Sequence, residues 1–90
     1  MADKTFSLDV ITPEKIIYSK EVAAIVTHGT DGYLGILPQH APLITTLEPG
    51  PLDITESNEE KVTFSLGGGF MEVRESKVVI LTDTVEKPQA

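Results

Sequence analysis

Two histidines, a serine beside a run of glycines and a scatter of carboxylates are the residues of this 90-residue chain that could do chemistry. His40 stands in GILPQHAPL at 35–43, an imidazole between Pro38 and Pro42. A serine hydrolase needs a nucleophile on a sharp turn, a histidine within hydrogen-bond reach, an acid to orient the imidazole, and an oxyanion hole. Ser65 precedes LGGG and His40 is available, but no G-x-S-x-G is present and nothing in the spacing brings the two together. A metal site would draw on His28, Asp31 and His40, which show none of the close spacings of zinc or calcium loops. Gly67, Gly68 and Gly69 invite a phosphate-binding loop, yet the Lys-Ser or Lys-Thr and the helix that such a loop needs do not follow. No catalytic, metal-ligating or cofactor-binding residue is therefore expected.

Structural roles fit the same residues. Asp31 caps a turn with Gly32, where a positive φ is needed, and His28 sits half exposed at a strand end. A run of glycines entering a strand marks a bulge or the close approach of another backbone. His40, among Ile36, Leu37, Ala41, Leu43 and Ile44, reads as a ring at a sheet margin donating to a backbone carbonyl. Its two prolines stiffen the chain on both sides, which suits a contact surface.

The elements that hold these residues are strands. Phe6, Leu8 and Val10 alternate along one, Val22, Ala24 and Val26 along a second, and Val62, Phe64 and Leu66 along a third. Further strands are expected at 33–37, 43–47, 52–55, 70–73 and 77–82, while the apolar run at 16–18 leaves strand and bend undecided. Turn signals recur about every eight to twelve residues, and no useful helix is visible. Pro38, Pro42, Pro49 and Pro51 lack the amide of a ladder bond, so their segment runs along an edge or crosses between sheets. The expected fold is all-β, a small two-sheet antiparallel β-sandwich of about eight to ten short strands. Residues 1–84 form the sandwich and 85–90 a loose tail, with Phe6, Val10, Val26, Ile36, Phe64, Phe70 and Ile80 in the core.

Fourteen acidic against seven basic residues give a net charge of −7, which repels nucleic acid and anionic lipid. Glu56, Glu59 and Glu60 are the one acidic cluster, expected in a solvated turn. With no cysteine, neither a disulfide framework nor a thiolate metal site is available. No apolar run approaches the roughly 20 residues of a membrane span, no secretory signal is visible, and the chain reads as cytosolic.

Taken in order, the chain shows LDVITPEK at 8–15, Ser19, G-x-D-G-x-x-GILP-x-HAPL at 29–43, Thr45, Leu47, Pro49-Gly50, GGF-x-EV at 68–73, then Val78 and Asp83. In this it resembles the N-terminal β-sandwich domain of the epsilon subunit of bacterial F-type ATP synthase, the counterpart of the mitochondrial delta subunit. Gln39 stands where that family often has glycine, and His28 where it often has proline. The resemblance implies a non-catalytic rotor subunit of the central stalk, turning with gamma and the c ring. It sets the chain at the cytoplasmic face of the bacterial plasma membrane, peripheral, as part of F1. It implies a gamma interface at Thr12, His40 and Thr45, and a turn of Thr30, Asp31, Gly32 and Tyr33 facing the c ring. Tyr33 would be either an amphipathic contact tip or an aromatic covering the end of the sandwich.

Members of that family usually continue into two helices that restrain hydrolysis and in some cases bind ATP. The sequence here ends at Glu86-Lys87-Pro88-Gln89-Ala90, so neither activity is expected of this polypeptide alone. The competing reading is a free-standing sandwich that binds a small ligand or protein. Aromatics at 6 % and no tryptophan supply such a site poorly.

Overall fold

Phe6, Leu8 and Val10 alternate with Ser7, Asp9 and Ile11 along β1 (Phe6–Ile11), and the first three are buried. The same period of two runs through the chain in a computed structural model that describes residues 4–30, 32–39 and 41–87. Among the described residues there is no helix, and eight further strands follow. These are β2 (Ile16–Gly29), β3 (Gly32–Ile36), β4 (Leu43–Leu47), β5 (Gly50–Glu56), β6 (Lys61–Leu66), β7 (Gly69–Arg74), β8 (Lys77–Thr82) and β9 (Val85–Glu86). The hydrogen-bonded order is β1-β8-β7-β4-β2-β5-β6-β9, with β3 on β2 and a further pairing of β1 with β2.

Two layers share this one path because β2 is 14 residues long and serves both. Its first half pairs with β1, its second half with β5 and β3, and Gly29 reaches Leu47 of β4. Each layer turns one side inward. Leu8, Val10, Met71, Val73, Val78 and Ile80 meet Ile25, Ile36, Leu52, Ile54, Phe64 and Leu66 in a single core. The fold is thus the all-β sandwich expected from the sequence, with one refinement: β1 and β8 pair in parallel. Parallel neighbours need a long crossover, and all the intervening chain supplies it.

Two residues expected in the core lie outside it. Between Val22 and Ala24 the ladder with β5 slips, so that the parity of β2 changes. Val22 points inward, and beyond the bulge Ile25 and Thr27 do, leaving Val26 exposed. Phe70 is exposed because Met71 opposite Ile80 and Val73 opposite Val78 set the inward face of β7. The acidic cluster also divides. Glu59 and Glu60 are exposed in a turn, whereas Glu56 is buried at the end of β5, beside Tyr18 and Lys20. Val85 and Glu86, assigned to the tail from sequence, pair with Leu66 and Ser65 as β9.

The triple glycine admits a backbone. A Cβ on Gly69 would collide with the carbonyl oxygen of Leu81, and Gly68 has φ +97°, in the left-handed region. Pro51 is tolerated in β5 because it lies beyond Asp53, the last residue there paired with β2.

Candidate functional site

The alternation that fills the core turns the intervening residues of β1, β8, β7 and β4 outward. Thr46 stands opposite Phe70, Phe70 opposite Leu81, and Leu81 opposite Ile11. Ile44, Glu72, Val79 and Asp9 form the next row. Ile44 is 72 % exposed, Phe70 57 % and Leu81 50 %. Strands about 4.8 Å apart make such a row roughly 14 Å long. Ile11, Phe70 and Leu81 also line a shallow hollow with Thr12, Pro13 and Asp83. Charges rim the face, with Lys77 3.6 Å from Asp9 and Arg74 2.8 Å from Glu72. An apolar face with a charged rim is the usual composition of a protein-docking surface.

A second exposed region adjoins it at the end of β2. Gly29 and Gly32 close the β2–β3 ladder, and Gly32 has φ +119°, which glycine adopts without a side-chain clash. Thr30 donates from Oγ1 to the Thr46 carbonyl at 3.4 Å, tying this turn to the last outward row of β4. Tyr33, 70 % exposed, stands opposite His28, and the two rings stack with centroids 4.9 Å apart and planes 18° apart. His28 in turn lies over Gly50, where an added Cβ would come 3.0 Å from Nδ1.

At the other end of β2 a polar cluster secures the two layers. Tyr18 donates to Glu56 Oε2 at 2.6 Å, Lys20 lies 3.4 Å from the same oxygen, and Tyr18 meets Phe64 edge to face at 5.6 Å. Burial, with the hydrogen bond to Glu56 next, pushes the Tyr18 phenol well above its usual range. The hydrogen bond from Tyr18, aided by Lys20, holds the Glu56 carboxyl below the usual carboxylate range. All its groups are satisfied by one another, so it reads as structure.

Residues 5–88 match the profile of the family described as ATP synthase, Delta/Epsilon chain, beta-sandwich domain. The chain belongs to this family. Curated relatives named ATP synthase epsilon chain include that of Desulforamulus reducens, 49 % identical over 85 residues, which covers 93 % of the chain and 63 % of the relative. That of Desulforudis audaxviator is 45 % identical over 89 residues, covering 99 % of the chain and 64 % of the relative. The chain thus spans less than two thirds of the length of either. Among solved structures, a chain of the Euglena gracilis mitochondrial ATP synthase, in an assembly of OSCP, F1 and c ring, superposes with a TM-score of 0.87 at 25 % identity. That match covers 97 % of this chain and 55 % of the other. A chain of the Tetrahymena thermophila central stalk and c ring has a TM-score of 0.79 at 21 % identity, covers 97 % of this chain and 69 % of the other, and shares the fold.

Within this delta/epsilon sandwich, the residues singled out from the sequence fall in different settings. His40 and Asp31 lie outside the described residues. Thr12 is half-buried, with both its amide and its Oγ1 donating to the Lys15 carbonyl, at 2.9 and 3.2 Å. Thr45 is half-buried on the core side of β4, in phase with Leu43 and Leu47. Thr12 and Thr45 thus each neighbour one end of the outward row without belonging to it. Thr30, Gly32 and Tyr33 do come together in the turn after β2. Ser65 is an exposed residue of β6, opposite Pro51 and Glu86.

What sequence reasoning missed is the apolar face: Ile11, Ile44, Phe70 and Leu81. A signal was present. The run Val78, Val79, Ile80, Leu81 is apolar at both parities, and a strand apolar on both faces is one covered on both faces.

Proposed function

We propose that this chain is the sandwich part of a non-catalytic central-stalk subunit of the proton-translocating F-type ATP synthase, joining gamma to the c ring during ATP synthesis. It works at the cytoplasmic face of the bacterial plasma membrane, held there through the complex. The observation that carries this reading is the outward row of half-buried Ile11 and exposed Leu81, Phe70 and Thr46 on the outer side of four paired strands, in a chain of this family. We assign that face to gamma, with Thr12 and Thr45 at its margin and His40 as a further gamma contact, and the turn of Thr30, Asp31, Gly32 and Tyr33 to the polar loops of the c ring.

The division suits the mechanics. A rotor part must pass torque without yielding, and a close-packed sandwich deforms little. The turn after β2 joins the apolar face through the Gly29–Leu47 pair and the Thr30–Thr46 hydrogen bond, so a load on the turn reaches β4 by backbone. No bond chemistry is asked of the domain. The competing reading, a free-standing module for a small ligand, needs a concave aromatic platform. The two exposed aromatics among the described residues, Tyr33 and Phe70, sit on strands of different layers.

The test is capture by immobilised gamma. Wild-type chain should be retained, and Phe70→Asp or Leu81→Asp should not, while both variants melt like the parent. Equal retention of the parent and both variants sinks the assignment of this face, and no retention of the parent sinks the whole reading.

A further inference from the structure

We propose that His28 is a positioning residue for the turn after β2, holding the Tyr33 ring in one orientation so that it meets its partner as a rigid contact. This rests on the c-ring-facing reading of that turn and adds to it a residue and a reason. Three residues meet there. Gly50 lies close to the His28 ring, so close that an added Cβ would stand a tight 3.0 Å from Nδ1. The imidazole packs close to this glycine, and Tyr33 stacks on it at 4.9 Å with an interplanar angle of 18°. Register brings the two rings side by side, because His28 and Tyr33 are direct cross-strand partners one pair from the end of the ladder.

The consequence concerns entropy. An aromatic side chain that is 70 % exposed would ordinarily sample several rotamers, and docking would have to freeze it. Stacked on a ring that itself packs close to Gly50, Tyr33 is confined on one face while its outer face stays open to a partner. Large, rigid aromatics with few torsions are efficient contact residues for this reason. His28 needs no contact with the partner to act in this way.

The experiment uses the 90-residue chain and a detergent-solubilised rotor of gamma with its c ring. Binding is measured for His28→Ala, His28→Phe, Tyr33→Ala and the His28→Ala/Tyr33→Ala double variant, with a thermal melt of each. In the free chain, the NMR shifts of the His28 ring protons report the stack through the Tyr33 ring current. Tyr33→Ala should abolish that upfield displacement. Loss of pre-organisation should weaken binding by His28→Ala about three- to tenfold. Phe at 28 should restore affinity to within about twofold, and the double variant should bind no worse than Tyr33→Ala. If His28→Ala binds like the parent while Tyr33→Ala is weakened, the positioning role is overturned and the c-ring reading stands. If Tyr33→Ala also binds like the parent, the reading of the turn itself falls and the proposal with it, whatever the NMR shifts show.

Discussion

The apolar face of β4, β7, β8 and β1 and the turn after β2 are both exposed and adjoin at Thr46, but they are made rigid by opposite means. The face occupies the regular middle of paired strands, so its side chains inherit their positions from the core beneath them: Phe70 is aimed by Met71, and Leu81 by Ile80. The turn sits where the ladder ends and has little core below it. It depends on a glycine at φ +119°, a threonine hydroxyl and a stacked pair of rings. Broad apolar area of the first kind supplies affinity, whereas a narrow polar tip of the second kind sets register and specificity. A subunit that must grip one partner and follow another has use for both.

Breaking the backbone that carries the face should produce the largest effect. Gly69→Ala forces a Cβ into the Leu81 carbonyl, and the β7–β8 pair must part. We expect a loss of about 3 kcal/mol or more, a fall in Tm of roughly 15 °C, with both surfaces lost together in a melt followed by binding assays. Unchanged stability would mean that β7 can shift without cost. Phe70→Asp should separate the two regions instead. Binding to gamma should weaken by at least about thirtyfold, as for a central hot spot, with Tm within a few degrees of the parent.

The Tyr18–Glu56 pair predicts how the common body responds to pH. Glu56 titrates lower in the folded chain, so its contribution is complete above the unfolded carboxylate pKa and is lost as pH falls through the folded one. Tyr18 titrates higher, so its contribution is complete below about pH 10 and is lost as pH rises beyond that. Melts across pH should therefore show a plateau with a fall on each side. Tyr18→Phe should flatten the alkaline fall and shallow the acid one, and identical profiles for parent and variant would remove the pair as the cause.

Smaller effects should sharpen the contrast. Tyr33→Ala should change stability by no more than about 0.5 kcal/mol by chemical denaturation, since the turn carries little of the core. Gln39 holds φ 69° in the connection between β3 and β4, a conformation that costs a non-glycine residue about 1 kcal/mol. Gln39→Gly relieves that strain and adds freedom to the unfolded chain, so the net change should lie within about 0.5 kcal/mol. A larger gain would show that the strand connection stores strain.

Much of the body was legible in the residues. Phe6, Leu8 and Val10 alternate without interruption, and β1 follows them; Phe64 and Leu66 do the same for β6. The glycines at 68 and 69 announced a close approach, and the backbone of Leu81 is what approaches. Val26 misled because a bulge leaves no mark on the pattern of residue types: Val22, Ala24 and Val26 alternate well, and the slip in pairing with β5 reverses their meaning. Glu56 misled because its partners, Tyr18 and Lys20, are 38 and 36 residues away in sequence. The apolar face was hidden for a third reason, since Phe70 was read as core by type alone and Leu81 was read only as part of a strand.

Local order thus belonged to the amino-acid sequence: the period of two, the turn at Gly32, and the series of motifs that marks the family. These rest on backbone sterics and on each residue's own preference, which act over a few neighbours. Tertiary structure alone decided which parity of each strand faces inward, where β2 slips, and which side chains from distant strands stand in one row. Those outcomes depend on register between segments far apart in the chain, and a shift of one residue exchanges the core for the surface.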